Sequence, residues 1–209
     1  FSKEKVMIMQ ALGAEVIRTP DDEGMAGAIK RASDLAAKIP NSYLPLQFEN
    51  QANPQYHYET TGREMVEQMG GRVDAVVVGA GTGGTFSGVA RFVKEHCPGA
   101  IAIAVETVGS VLGGGPPGDH KIEGIGSSFI PKTFHGDLAD EIIKVTDADA
   151  FEMVRQLARQ EGVMAGSSAG ANVWAAMQVA KKLGPGKRVA TIIPDSAERY
   201  LSKNIFETY

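Results

Sequence analysis

Cysteine is almost absent from this chain: Cys97 stands alone among 209 residues. A single thiol excludes a disulfide framework and any cysteine-rich metal site, and no metal centre is expected. It suits a reducing cytoplasm, where the protein is expected to work. Histidine is scarce too, and none follows His135. No apolar run approaches the roughly 20 residues of a membrane span, and no signal peptide is visible. No basic run stands out, and a net charge of −4 offers nothing to nucleic acid or to an anionic membrane. Neither partner is expected. An initiator methionine is lacking as well: Phe1-Ser-Lys-Glu-Lys already has helical periodicity. The chain is therefore expected to be part of a longer protein. Hydrophobic content of 43% is enough for one large domain or two small ones.

Glycine, by contrast, is abundant, and it is concentrated in one informative stretch. Asp74-Ala-Val-Val-Val-Gly-Ala-Gly-Thr-Gly-Gly-Thr85 runs a short apolar strand into a turn with Gly79, Gly81, Gly83 and Gly84 interleaved with Thr82 and Thr85. A helical segment from Phe86 to Val93 follows. Such a turn brings backbone N–H groups close to an anion, and the helix dipole adds to the attraction. Two ligands fit a phosphate cradle of this kind. Gly79-Ala-Gly81-Thr-Gly-Gly84 matches the dinucleotide pattern, with Glu106 at the end of the next apolar run as a candidate ribose-binding acid. The alternative is a smaller phosphate ligand.

Helix and strand signals alternate along the rest of the chain. Helices are expected over Lys3–Leu12 with Gly13 as cap, Met25–Lys38, Tyr56–Met69, from the glycine turn to Lys94, from an Asp147 or Asp149 cap to Gln160, and over Ala171–Leu183. Strands are expected at Glu15–Arg18, Val76–Val78, Ile101–Val105, Ile142–Val145, Val163–Ala165 and Arg188–Ile193, and Tyr43–Phe48 reads as a short strand or an extended run. Asn50–Pro54 reads as a loop. Gly109–Gly126 is a long Gly/Pro-rich loop, a kind more often functional than idle. The alternation implies an α/β fold with mostly parallel sheet and helices on both faces. The change from short helix–strand units to the long loop and glycine turns suggests a smaller domain over residues 1–50 and a larger one over 51–209.

A second turn, Gly166-Ser-Ser-Ala-Gly170, joins a strand to a helix and matches the hydrolase elbow G-x-S-x-G literally. That reading requires an acid and then a histidine downstream, and no histidine follows. Hydroxyls here are placed instead at the carboxyl edge of the sheet, where α/β ligands bind.

Taken together, these segments resemble the cystathionine β-synthase and cysteine synthase family of pyridoxal-phosphate enzymes. The matching segments are Gln47-Phe48 with Asn50 and Ala52-Asn-Pro54, Thr60-Thr-Gly62, Gly81-Thr-Gly-Gly-Thr85, His120-Lys-Ile-Glu-Gly-Ile-Gly126 with Phe129-Ile-Pro131, and Glu198-Arg-Tyr-Leu-Ser202. Their common order and spacing displace the dinucleotide reading. The resemblance implies the tryptophan-synthase-β-like fold (type II) with its amino-terminal part missing, and pyridoxal 5'-phosphate as cofactor. It implies that Gly81, Thr82, Gly83, Gly84 and Thr85 hold the cofactor phosphate and that Ser168 meets the pyridine nitrogen. A neutral hydroxyl there does not force ring protonation as a carboxylate would, which favours chemistry at Cβ over transamination. Gln47 is similar to the residue that binds the substrate carboxylate; a buried amide bonded to loop backbone is its alternative. Gly124, Ile125 and Gly126 resemble the loop beside the substrate, with plain turn glycines as the alternative.

The family's Schiff-base lysine and the loop that grips the substrate carboxylate lie before the matched segment. Neither motif occurs here, so no catalytic residue is assigned in this chain. Of its twelve lysines only Lys121 lies in a functional-looking loop, and it reads as a surface residue. The chain looks like the carboxyl-terminal two-thirds of an enzyme of about 300 residues, a homodimer when full length, and inactive alone. The resemblance implies β-replacement on serine or O-acetylserine by homocysteine or sulfide, giving cystathionine or cysteine. Asp195-Ser196 after Pro194 resembles the cystathionine-synthase side, and Glu198-Arg-Tyr-Leu leans toward bacterial cysteine-synthase-like forms; a bacterial cystathionine β-synthase is favoured, with cysteine synthase the alternative. A cofactor-binding module without catalysis is the non-enzyme alternative.

Overall fold

A computed structural model describes residues 2–207. The chain forms two compact units, Phe1–Leu46 and Gln47–Tyr209.

The first unit holds α1 (Lys3–Ala11) and α2 (Gly24–Ala36). Gly13 takes φ +88° just past α1, and its N–H returns to Gln10 O, the expected left-handed helix stop. Neither helix fully buries an apolar residue. The strand expected at Glu15–Arg18 is not formed. Among the described residues nothing offers that run a ladder partner, and an unpaired run stays extended coil. Tyr43–Phe48, read as a short strand or an extended run, forms no strand: Leu46 sits at φ +50°, which breaks any ladder there.

The second unit is built on a four-stranded parallel sheet, ordered β3-β2-β1-β4. Its strands are β1 (Ala75–Gly79), β2 (Ile101–Thr107), β3 (Glu141–Val145) and β4 (Val189–Thr191). The helices are α3 (Ala52–His57), α4 (Arg63–Gln68), α5 (Gly84–His96), α6 (Asp147–Gln156) and α7 (Ser167–Leu183). A π-turn over Tyr58–Gly62 joins α3 to α4, so the expected Tyr56–Met69 helix is continuous but wider in the middle, and it begins earlier, at Ala52. The Asn50–Pro54 segment is thus a helix start as much as a loop.

The period-2 alternation of the strands sorts the core into two layers. Val76, Val78, Ala102 and Ala104 face Phe86, Val89 and Val93 of α5. Ala75, Val77, Ile103 and Val105 face Ala171, Ala175 and Val179 of α7. With both faces covered, β1 and the first five residues of β2, Ile101–Val105, can be apolar without alternation, and they are; Glu106 and Thr107 end β2 as buried polar residues. Each fully buried valine or phenylalanine contributes about 1.5–3 kcal/mol.

Two further expectations need correction. Neither Asp147 nor Asp149 caps α6: Thr146 does, its Oγ1 accepting the Asp149 N–H at 3.1 Å. A threonine in extended backbone can turn its hydroxyl back to the third helical residue, and Asp149 occupies that position. Val163–Ala165 does not join the sheet; Ala165 makes only an isolated antiparallel bridge to Ser196.

Strand order determines where a site can form. The chain leaves β1 toward β2 on one side, and β4 later arrives on the other. That reversal opens a crevice beyond the carboxyl end of β1, where Gly79 leads into the glycine turn.

Candidate active site

Three segments of the larger unit meet at that crevice: the turn from Gly79 to Thr85, the 120–127 loop and the start of α7. Gly81 and Gly124 touch backbone to backbone. A Cβ on Gly81 would collide with the Gly124 carbonyl oxygen. Gly126 N donates to Ala80 O at 3.3 Å, which fixes the loop over the turn. Gly83 is held at φ +82°, and a Cβ there would lie 2.6 Å from Phe134 Cα, so only glycine fits. On the other side of Gly124 lies Ser168. Its Oγ is 3.7 Å from the position a Gly124 Cβ would take, and the residue is only 4% exposed. Gly124 therefore stands between the turn and Ser168.

The turn has the donor set of an anion cradle. α5 begins at Gly84, and the N–H groups of its first turn have no acceptor within the helix. Thr82 Oγ1 accepts from Asn53 Nδ2 at 3.1 Å and from Gly84 N at 3.2 Å. With both lone pairs engaged, its hydroxyl proton is left to donate outward. Thr85 Oγ1 pairs with His57 Nε2 at 3.1 Å, and His57 Nδ1 pairs with Thr61 Oγ1 at 2.9 Å. Burial pushes the His57 imidazole below its ordinary value, so it is neutral at physiological pH. Thr133 donates from Oγ1 to Thr82 O at 2.7 Å, and its own carbonyl accepts from Ser87 Oγ of α5 at 2.9 Å. The phosphate of pyridoxal 5'-phosphate fits these donors, and the ring nitrogen fits a hydroxyl at Ser168.

Gln47 is exposed, so the buried-amide alternative does not hold. Its backbone does the anchoring: Gln47 O accepts from Asn53 Nδ2 at 2.8 Å and from Thr133 Oγ1 at 3.4 Å. Lys121 is exposed on the far approach to the loop. Glu106, the candidate ribose acid, is fully buried, accepts the Gly113 N–H at 3.1 Å and lies 3.6 Å from Lys144 Nζ. A ribose could reach it only by displacing the Gly/Pro loop. Behind α7, Gly166 N donates to Asp195 O at 3.1 Å, and the Tyr200 hydroxyl donates to the Asp195 carboxylate. Burial, reinforced by that bond, raises the Tyr200 phenol well above its ordinary value.

Sequence reasoning missed Asn53 and His57 as supports of the cradle, although Asn53 lay within a quoted motif. A signal was available. They stand four residues apart on α3, one face of one turn, and reach Thr82 and Thr85, three residues apart across the glycine turn.

A family profile described as "Pyridoxal-phosphate dependent enzyme" matches residues 1–195. The chain belongs to that family. Pyridoxal phosphate is therefore its cofactor, and within the family it falls with the cystathionine β-synthases and cysteine synthases. It is 50% identical over 207 residues to the O-acetylserine dependent cystathionine β-synthase of Bacillus subtilis, covering 99% of this chain and 67% of that protein. It is also 50% identical over 206 residues to a cysteine synthase of Helicobacter pylori, again covering 99% of this chain and 67% of the relative. The chain thus spans about two thirds of these relatives. Among solved structures, the O-acetylserine dependent cystathionine β-synthase from Helicobacter pylori superposes with a TM-score of 0.96 at 49% identity, covering 99% of this chain and 68% of that one. A hydrogen sulfide-producing enzyme from Fusobacterium nucleatum gives a TM-score of 0.92 at 39% identity, with coverage of 95% and 68%. No helix among the described residues is long and apolar enough to cross a membrane.

Proposed function

We propose that the protein carrying this chain catalyses β-replacement on O-acetylserine or serine by a thiol, with cystathionine from homocysteine as the favoured product and cysteine from sulfide as the alternative. The observation that carries this reading is the neutral Ser168 hydroxyl beside Gly124, where transaminating chemistry would call for a charged partner. The names of the B. subtilis and H. pylori relatives support O-acetylserine as the amino-acid substrate. Asp195-Ser196 supports the cystathionine side.

In this reading the first-turn N–H groups of α5, with Thr82 and Thr85, hold the phosphate, while Asn53 and His57 keep both hydroxyls aimed. When bound, the cofactor withdraws electrons from the substrate Cα, which allows the β-substituent to leave and a thiol to add. Ser168 meets the ring nitrogen without adding charge. Gln47 takes the substrate carboxylate, and Gly124, Ile125 and Gly126 line the substrate side, where the absence of a side chain at Gly124 leaves room beside Ser168; the side-chain space of Gly126 is filled by His120 and Thr107. The lysine base and the carboxylate loop belong to the part of the enzyme that precedes the matched segment in the family. Residues 1–50 are taken as part of the smaller domain, and the whole enzyme as a cytoplasmic homodimer.

The test is direct. The full-length enzyme, loaded with pyridoxal phosphate, is incubated with O-acetylserine or serine and with homocysteine or sulfide, and products are quantified by mass spectrometry. Cystathionine from O-acetylserine is expected with the highest kcat/KM. Absence of both cystathionine and cysteine in every combination would overturn the assignment.

A further inference from the structure

The 120–127 loop is pinned by two side chains to which no role in the cradle has been given, Asp147 and Ser167. Lys121 N donates to both oxygens of the Asp147 carboxylate at 3.0 Å, and Ile122 N reaches Oδ1 at 3.3 Å. Glu123 N donates to Ser167 Oγ at 3.1 Å. Three consecutive loop N–H groups are thus accepted by the first residue of α6 and the first residue of α7. Neither acceptor is occupied with capping its own helix. Thr146 caps α6, and Gly166, without a side chain, stands at the cap of α7. Immediately after these three residues the chain turns at Gly124, φ +95°, against Gly81 and Ser168.

We propose that Asp147 and Ser167 are positioning residues: they set the register of Gly124–Gly126 over the glycine turn, and through it the affinity for the amino-acid substrate. Ser167 is the sequence neighbour of Ser168. The same first turn of α7 therefore fixes the loop with one hydroxyl and presents the next one to the loop's glycine. Asp147 fixes the loop from an independent helix. A carboxylate that accepts two or three N–H groups is among the stronger neutral-to-charged anchors available, so its loss should be felt at Gly124 even though Gly126 N still reaches Ala80 O and Glu123 still pairs with Lys203. Ile122 and Ile125, 1% and 5% exposed, tie the same loop into the α7-side core. They supply the apolar hold; Asp147 and Ser167 supply the direction.

The inference rests on the reading of this loop as the substrate side. Its test uses the full-length, cofactor-loaded enzyme with Asp147→Ala, Asp147→Asn and Ser167→Ala. KM for the amino-acid substrate is expected to rise about tenfold in Asp147→Ala, with kcat within about threefold. Asp147→Asn, which keeps one acceptor oxygen, should recover most of that loss. Cofactor absorbance, cofactor affinity and Tm should be unchanged in all three. Amide exchange in residues 121–126 should quicken in Asp147→Ala and Ser167→Ala. Unchanged exchange, an unchanged KM in both alanine variants, or a matching fall in cofactor affinity would overturn the proposal. If the wild-type enzyme proves to lack β-replacement, the assigned reaction fails and the exchange measurement alone decides the positioning role.

Discussion

Asn53 donates one side-chain nitrogen both to Thr82 Oγ1, at 3.1 Å, and to the carbonyl of Gln47, at 2.8 Å. One amide thus ties the phosphate turn to the residue assigned to the substrate carboxylate. Replacing it with alanine removes one of the two donors that hold the Thr82 hydroxyl and leaves the Gln47 carbonyl with only the longer bond from Thr133 Oγ1, at 3.4 Å. We expect Asn53→Ala in the full-length enzyme to weaken pyridoxal-phosphate affinity about tenfold and to raise KM for the amino acid as well. Cofactor titration by absorbance, alongside steady-state kinetics, measures both. A change in only one of them would mean that the shared nitrogen does not couple the two sites.

Gly83 gives a sharper steric test. At φ +82°, with Phe134 occupying the space of a side chain, Gly83→Val must distort the start of α5. Cofactor binding should be lost or fall at least about tenfold. Unchanged pyridoxal-phosphate absorbance in that variant would remove the turn from the cofactor site.

How much of this was legible in the sequence can be seen residue by residue. The run Ala75–Gly79 and the turn to Thr85 were readable because a doubly buried parallel strand must be apolar throughout and a phosphate turn needs glycines. The strand order was not written anywhere, yet it decides that β1, not β2, ends at the crevice. Glu15–Arg18 misled because an apolar pattern states a preference, while a strand requires a partner. The cap of α6 misled by one to three residues: Thr146, Asp147 and Asp149 all have capping chemistry, and only the backbone direction selects Thr146. Gln47 kept its place in the motif, but its exposure and its anchoring carbonyl are tertiary facts.

Asp74 makes the pH dependence of the larger unit specific. Its carboxylate accepts the Arg188 N–H at 2.9 Å and the Lys187 ammonium at 3.0 Å, joining the entries to β1 and β4. The backbone bond from Arg188 first, then Lys187, lower its value from 3.8 to about 2. A depressed carboxylate stabilises the fold fully above its unfolded value, and the contribution is lost as pH falls through the folded one. The stability gap between wild type and Asp74→Asn should therefore be constant at neutral pH, begin to close near pH 4 and vanish near pH 2. Denaturant melts of the chain across that range, followed by circular dichroism, measure it. A gap that stays constant down to pH 2 would show that the carboxylate's charge contributes nothing.

Ser168 separates holding the cofactor from using it. The hydroxyl is buried beside Gly124, and its neighbour Ser167 is engaged with the loop. Ser168→Ala removes the hydroxyl proposed to meet the ring nitrogen but keeps the site neutral, so in the full-length enzyme it should weaken pyridoxal-phosphate affinity by about tenfold or less and preserve the reaction type. If Ser168 meets the ring nitrogen as proposed, Ser168→Asp puts a carboxylate against it, which favours the protonated ring because opposite charges stabilise one another at short range. The variant should retain the cofactor, shift its absorbance toward the protonated-ring form across the neutral pH range, and lose β-replacement by at least about tenfold. The two signals must move together. A Ser168→Asp enzyme whose spectrum shifts while its replacement rate stays at the wild-type level would leave Ser168 beside the ring but remove the electronic role. One with neither change would place the hydroxyl away from the ring altogether.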